Sequence, residues 1–118
     1  MLTIDNLNDN KVLEISAKGK LTKDDYEIIL PQLENLLDKH GKLRFLIKLE
    51  DFKGIEAEAL WEEIEFDREH MDEYGKTAVV GDSSWEDWGT KISSLFFDTE
   101  MKYFDRSHEE QARNWVNN

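Results

Sequence analysis

The residues best placed to do chemistry in this chain are gathered in VVGDSSWEDWGTKI, residues 79–92. A strand that ends at Gly81-Asp82 and turns through Ser83-Ser84 into a helix would present free backbone N–H groups, the elementary device for holding phosphate. A dinucleotide turn needs GxGxxG, however, and a P-loop needs GxxxxGK(S/T). The loop VVGDSSW carries one glycine and no lysine. Ser83 or Ser84 therefore reads as a helix cap, with Glu86 and Asp87 complementing the helix dipole and repelling a phosphate. A reactive serine would need the elbow GxSxG with a histidine and an acid at hand, and GDSSW lacks the second glycine.

The other chemistries fare no better. There is no cysteine, which removes thiol catalysis, thiolate metal sites and disulfides. His40, His70 and His108 fall at helix ends or on polar faces, and none sits in HExxH, so no metal site is expected. Carboxylate pairs suited to acid–base work can be drawn in many ways on such an acidic chain, and none stands out. No catalytic residue and no cofactor is assigned, and the chain reads as a non-enzyme.

The tryptophans then ask for an explanation. Trp85 and Trp88 share a helical face with Ile92 and Leu95. Truncating a buried Trp costs about 3–5 kcal/mol, against a total stability of about 5–15 kcal/mol for a domain. Trp88 is accordingly expected in the core. Trp85, in the first turn, divides between the core edge and the wall of a ligand cleft.

The elements that must position these residues follow from periodicity. The 118 residues are enough for one domain with a real core. Leu2–Ile4 and Val12–Ala17 alternate as strands. Thr22 and Asp25 approximate a capping box. It opens a helix with Tyr26, Ile29, Leu30, Leu33, Leu36 and Leu37 in register, bent by Pro31 and stopped at Gly41. LRFLIKL (43–49) is a buried strand. A helix over 56–72 places Ala57, Leu60, Trp61, Ile64 and Met71 on one face, with Glu58, Glu62, Glu65, Asp67, Glu69 and Asp72 solvated. A strand at 76–82, a helix at 84–97, a strand at 100–105, and a final helix with Ala112, Trp115 and Val116 complete the chain. The last helix is expected to open on a second capping box, Ser107 to Glu110. The order ββαβαβαβα predicts a single α/β domain over 1–118, with a mostly parallel, mixed sheet flanked by helices.

Fifteen basic against 27 acidic residues give a net charge of −12. That surface repels nucleic acid and anionic headgroups. The opening MLTIDNLNDNK is too polar for a signal peptide, and no apolar run approaches the roughly 20 residues of a membrane span. A cytoplasmic protein is expected.

The stretches KGKLTKDDYEIILPQLENLL, LRFLIKLEDFKG, LWEEIEFDREHM, TAVVGDSSWEDW and KYFDRSHEEQARNW together resemble the SpoIIAA-like family, whose fold relates STAS domains to CRAL-TRIO lipid-binding domains. The resemblance spans nearly the whole chain and implies a small cytosolic α/β domain without enzymatic chemistry. STAS proteins of the anti-sigma-antagonist kind carry a phosphorylatable serine after an Asp at the helix start following the central strand. Here Glu50 and Asp51 are present, but no Ser or Thr occurs from Asp51 to Leu60. CRAL-TRIO relatives enclose an apolar ligand between sheet and helices. The resemblance thus implies a binding module for an apolar or amphiphilic molecule, held at the carboxyl ends of the strands, where open α/β sheets bind their ligands. Phe52, Trp61, Trp85, Trp88 and Phe96 would line that cleft, with Asp51 and Asp82 at its rim. The alternative is a regulatory protein–protein interaction domain without a phospho-switch, for which an exposed aromatic patch could also support a homodimer.

Overall fold

Every strand of the sheet lies beside its neighbour in sequence. The computed structural model describes residues 1–81 and 100–118, apart from the side chains at 60, 63, 64, 67, 68 and 71. The elements are β1 (Leu2–Leu7), β2 (Val12–Leu21), α1 (Lys23–His40), β3 (Leu43–Ile55), α2 (Ala57–His70), β4 (Tyr74–Gly81), β5 (Met101–Asp105) and α3 (Glu109–Asn117). Short 3₁₀ turns at Met71–Glu73 and Arg106–His108 precede β4 and α3. The strand order is β1-β2-β3-β4-β5. β1 runs antiparallel to β2, and the remaining pairs are parallel, which makes the mostly parallel, mixed sheet that the sequence predicts. The helix expected at 84–97 lies outside the described residues.

Local chemistry accounts for α1. The Thr22 hydroxyl accepts the Asp25 N–H at 3.3 Å, and the Asp25 carboxylate accepts the Thr22 N–H at 2.9 Å, so two otherwise orphaned donors are satisfied reciprocally. Tyr26, Ile29, Leu33 and Leu37 form the buried stripe, and Pro31 sits inside the helix on its exposed side. Gly41 takes φ 75° and donates its N–H to the Leu37 carbonyl at 2.8 Å, closing the helix in a conformation that glycine adopts without strain.

The period-2 alternation of the strands divides the core in two. Leu13, Ile15 and Ala17 of β2 and Leu43, Phe45 and Leu49 of β3 face a large cluster with Tyr26, Ile29, Leu33, Leu37, Ala59 and Phe66 of α1 and α2. Val12, Leu46, Ala78 and Val80 point the other way and pack under Ala112 and Val116 of α3. Polar tethers supplement that smaller contact. Arg44 donates to the Val116 carbonyl at 2.9 Å and to the Asn10 carbonyl at 2.6 Å. The side-chain amides of Asn8 and Asn10 both donate to Asn117 Oδ1, at 2.8 and 3.1 Å.

Three expectations are corrected. The described buried side chains of α2 are Ala59, Phe66 and His70, whereas Ala57 and Trp61 are exposed. Trp61 lies two residues from Ala59, which on a helix is about 200° of rotation and hence the opposite side. Its spacing with Ala57 and Leu60 suggested burial, and Phe66 is the aromatic that achieves it. Leu60, Ile64 and Met71 lie outside the described side chains. Second, β3 does not stop at Leu49 but continues to Ile55, and β4 starts at Tyr74 rather than Lys76. Third, Ser107 does not cap α3. Asp105 accepts both the Ser107 N–H (3.0 Å) and its hydroxyl (2.7 Å), forming an Asx turn that leads into the 3₁₀ segment. His108 holds the cap position without a side-chain bond.

Candidate functional site

The carboxyl ends of the parallel strands depart from regular geometry. β2 and β3 pair in register from Val12↔Arg44 to Lys18↔Glu50, then resume at Lys20↔Gly54 and Leu21↔Ile55. Between those points Gly19 alone faces Asp51, Phe52 and Lys53, a bulge with two extra residues in β3. Three left-handed residues make it possible: Gly19 (φ 66°), Asp51 (φ 47°) and Gly54 (φ 108°). Glycine adopts such angles freely. An L-residue is strained there by about 1–2 kcal/mol, less for Asp, whose short polar side chain tolerates the region. Backbone strain of this kind gathers at binding edges. The bulge turns Phe52 into the core, 7% exposed, and leaves Asp51 and Lys53 in solvent.

Arg106 completes this edge from the far side. It follows β5, yet its Nη2 donates to the Leu49 carbonyl of β3 at 3.3 Å. Because β4 lies between β5 and β3, the guanidinium arm reaches across the end of β4. Beside it, the Asp105 carboxyl is held below its usual range by the hydrogen bonds from Ser107, side chain first and backbone second. Asp105, Ser107 and His108 are the residue types of a hydrolytic triad, but their bonding is wrong for it. The Ser107 hydroxyl donates to Asp105 and sits 3.5 Å from His108 Nδ1. A nucleophile would give its proton to the imidazole instead. The arrangement caps a turn and can present one guanidinium and several carboxylates to a ligand.

Of the residues expected to form the site, Asp51 and Phe52 meet at the bulge, one outside and one inside. Trp61 is not drawn into an interior wall; it is 67% exposed on α2. Asp82, Trp85, Trp88 and Phe96 lie outside the described residues. Arg106 was missed, since only the pairing of β4 with both β3 and β5 reveals its reach. The Asp-x-Ser turn at 105–107 was the local signal available.

Two further polar groupings stand apart from this edge. On the α3 face, Arg113 bonds Glu14 at 2.8 Å and Glu109 at 3.3 Å, and Lys48 lies 3.8 Å from Glu14 and 3.6 Å from Asp5. Asp5 also accepts the Ser16 hydroxyl. The Arg113 hydrogen bond is the main cause that holds the Glu14 carboxyl below its ordinary range, despite its partial burial. At the end of α2, His70 stacks on Phe66 (4.3 Å between ring centroids) with Nδ1 3.2 Å from Glu73. Among the described residues, no group of three His, Asp or Glu side chains could hold a metal ion, and no helix is long and apolar enough to cross a membrane.

A sequential five-stranded sheet, one antiparallel edge strand and helices on both faces define a small α/β domain with a SpoIIAA-like fold. The sequence model of the SpoIIAA-like family matches residues 12–117, and the chain belongs to that family. Among solved structures it is similar to an uncharacterized protein of the DUF3478 family from Shewanella loihica PV-4, described as having a SpoIIAA-like fold. That likeness has a TM-score of 0.79 at 27% identity, over 98% of this chain and 92% of that one. No curated protein matches the chain.

Proposed function

We propose that this protein is a non-enzymatic interaction domain of the STAS kind that recognises a protein partner and lacks the phospho-switch after the central strand. The observation that carries this reading is Trp61. A residue that could bury a large apolar surface is left 67% exposed on a helix whose inner face is already filled by Ala59 and Phe66. Exposed aromatic anchors are characteristic of binding surfaces. The segment that would carry a switch serine, residues 51–60, is strand as far as Ile55, where it pairs with Lys20 and Leu21, and helix from Ala57. It contains no hydroxyl side chain.

The test is native mass spectrometry of the protein from its source cells, with pull-downs from the same lysate. A stoichiometric protein partner supports this reading. A co-purifying fatty acid or lipid with no protein partner overturns it in favour of a second one, a cytoplasmic module holding an apolar or amphiphilic molecule. The strained bulge at Asp51, with Arg106 reaching over the strand ends, favours that second reading because it is an irregular edge at the customary ligand position. The cleft would draw on Phe52, Trp85, Trp88 and Phe96, with Asp51 and Asp82 at its rim. Tryptophan fluorescence titrated with matched long-chain alcohol, amine and carboxylate tests it. Emission unperturbed below millimolar concentration sinks the small-ligand reading.

A further inference from the structure

The outer face of α2 combines two features that an isolated domain would be expected to avoid. Trp61 is 67% exposed, and Glu58 and Glu65, three residues before and four after it, share its side of the helix and are exposed as well. Glu69 continues the acidic row, one turn beyond Glu65. Residues 57–70 hold six carboxylates and one arginine. Glu62 has Lys23 of α1 at 4.0 Å. Among the described residues, no cation lies within ion-pair distance of Glu58, Glu65 or Glu69. The α3 face is arranged differently, with Glu14 and Glu109 both on Arg113 and Asp5 on Lys48. Like charges four apart, as in Glu58–Glu62 and Glu65–Glu69, oppose helix formation.

We propose that the outer face of α2, centred on Trp61, docks a Lys/Arg-rich amphipathic segment of a partner protein. The proposal rests on the interaction-domain reading above and names the chemistry of the partner. A basic segment answers both features at once. A Lys or Arg cation stacks on the indole face while its neighbours neutralise Glu58, Glu65 and Glu69, and apolar residues of the same segment cover the rest of the ring. Other occupants fit less well. A second copy would bring the same acidic row against itself across an isologous contact, and an anionic membrane surface is repelled.

The probe is a fluorescently labelled synthetic helix of Lys and Leu in amphipathic order, with a Glu-for-Lys version as control, followed by anisotropy. Saturable binding of the Lys peptide alone is expected. Trp61→Ala should weaken it about tenfold or more, as truncating an aromatic anchor does, and Glu58→Lys with Glu65→Lys should weaken it comparably. Salt at about 0.5 M should weaken it further, because exposed charges are then screened within a few ångströms. Both sites are exposed, so circular dichroism should show folded variants. No saturable binding to the wild type overturns the proposal. So does binding that stays within about twofold in both variants, since the peptide would then be held by the general negative field of the protein. A native partner whose cross-links map away from α2 also overturns it and leaves the interaction-domain reading standing. Absence of any protein partner in the pull-downs removes that reading itself.

Discussion

The two faces of the sheet are closed by different means. On one, α1 and α2 lay a broad apolar layer over Leu13, Phe45 and Leu49. On the other, among the described residues, α3, nine residues long, covers Val12, Leu46, Ala78 and Val80 with Ala112, Val116 and Trp115, joined by Phe104 of β5. What area does not supply there, directional bonds do: Arg44 to the helix end, Asn8 and Asn10 to Asn117, Glu14 to Arg113. The first face should therefore fail through lost volume, and the second through lost donors or lost charge.

The largest effect belongs to the apolar side. Phe45, 3% exposed and edge-on to Tyr74 with centroids 5.2 Å apart, should cost about 3–5 kcal/mol as Phe45→Ala in urea melts. Arg44→Ala should come next. It removes a charged donor from two carbonyls, at about 1.5–3 kcal/mol, and should raise amide exchange in α3 well before α1. Equal exchange in both helices would break the comparison.

Thr22→Ala, which removes one half of the α1 capping box, should cost about 1 kcal/mol. An acid titration should sharpen the other face by a similar or smaller amount. The folded Glu14 carboxyl titrates below its ordinary 4.5, so the unfolded chain binds its proton first as pH falls. The ion pair contributes fully above 4.5 and is lost as pH drops through the folded value. Arg113→Ala should flatten that part of the pH–stability curve and cost about 1 kcal/mol or less at neutral pH, because the guanidinium is partly exposed. Trp61→Ala should stand last, within about 0.5 kcal/mol of wild type, while weakening partner binding.

What could be read from the sequence was what local rules determine. The α1 cap, its apolar stripe and its glycine stop need only residues 22–41, and the mostly parallel, mixed character of the sheet follows from the alternation of elements; the strand order is set by long-range pairing. At α2 the expectation followed the helical spacing of Ala57, Leu60, Trp61 and Ile64, while Ala59, Phe66 and His70 offered a competing stripe in the same window. The continuation of β3 past Leu49 was hidden because its partners, Lys20 and Leu21, lie more than thirty residues away and its turn depends on three left-handed angles. Arg106 was invisible for a similar reason: its acceptor is 57 residues distant. Asp51 and Phe52 were recognised as a pair at the strand end, but which of them faces solvent depends on the bulge.

The sheet order has a kinetic meaning. Since each strand docks beside the one made before it, no strand waits for a distant partner, and the closure entropy at each step stays near that of a single crossover. The longest closure is the last, between Asn117 and Asn8 across 109 residues. We predict that chain order is assembly order, with α3 the closing piece. Asn117→Ala should then speed unfolding and leave the folding limb of the chevron unchanged; a slowed folding limb would place α3 in the nucleus instead. On a ribosome such a sheet can grow strand by strand as it emerges, and α3 then returns to a segment synthesised long before it.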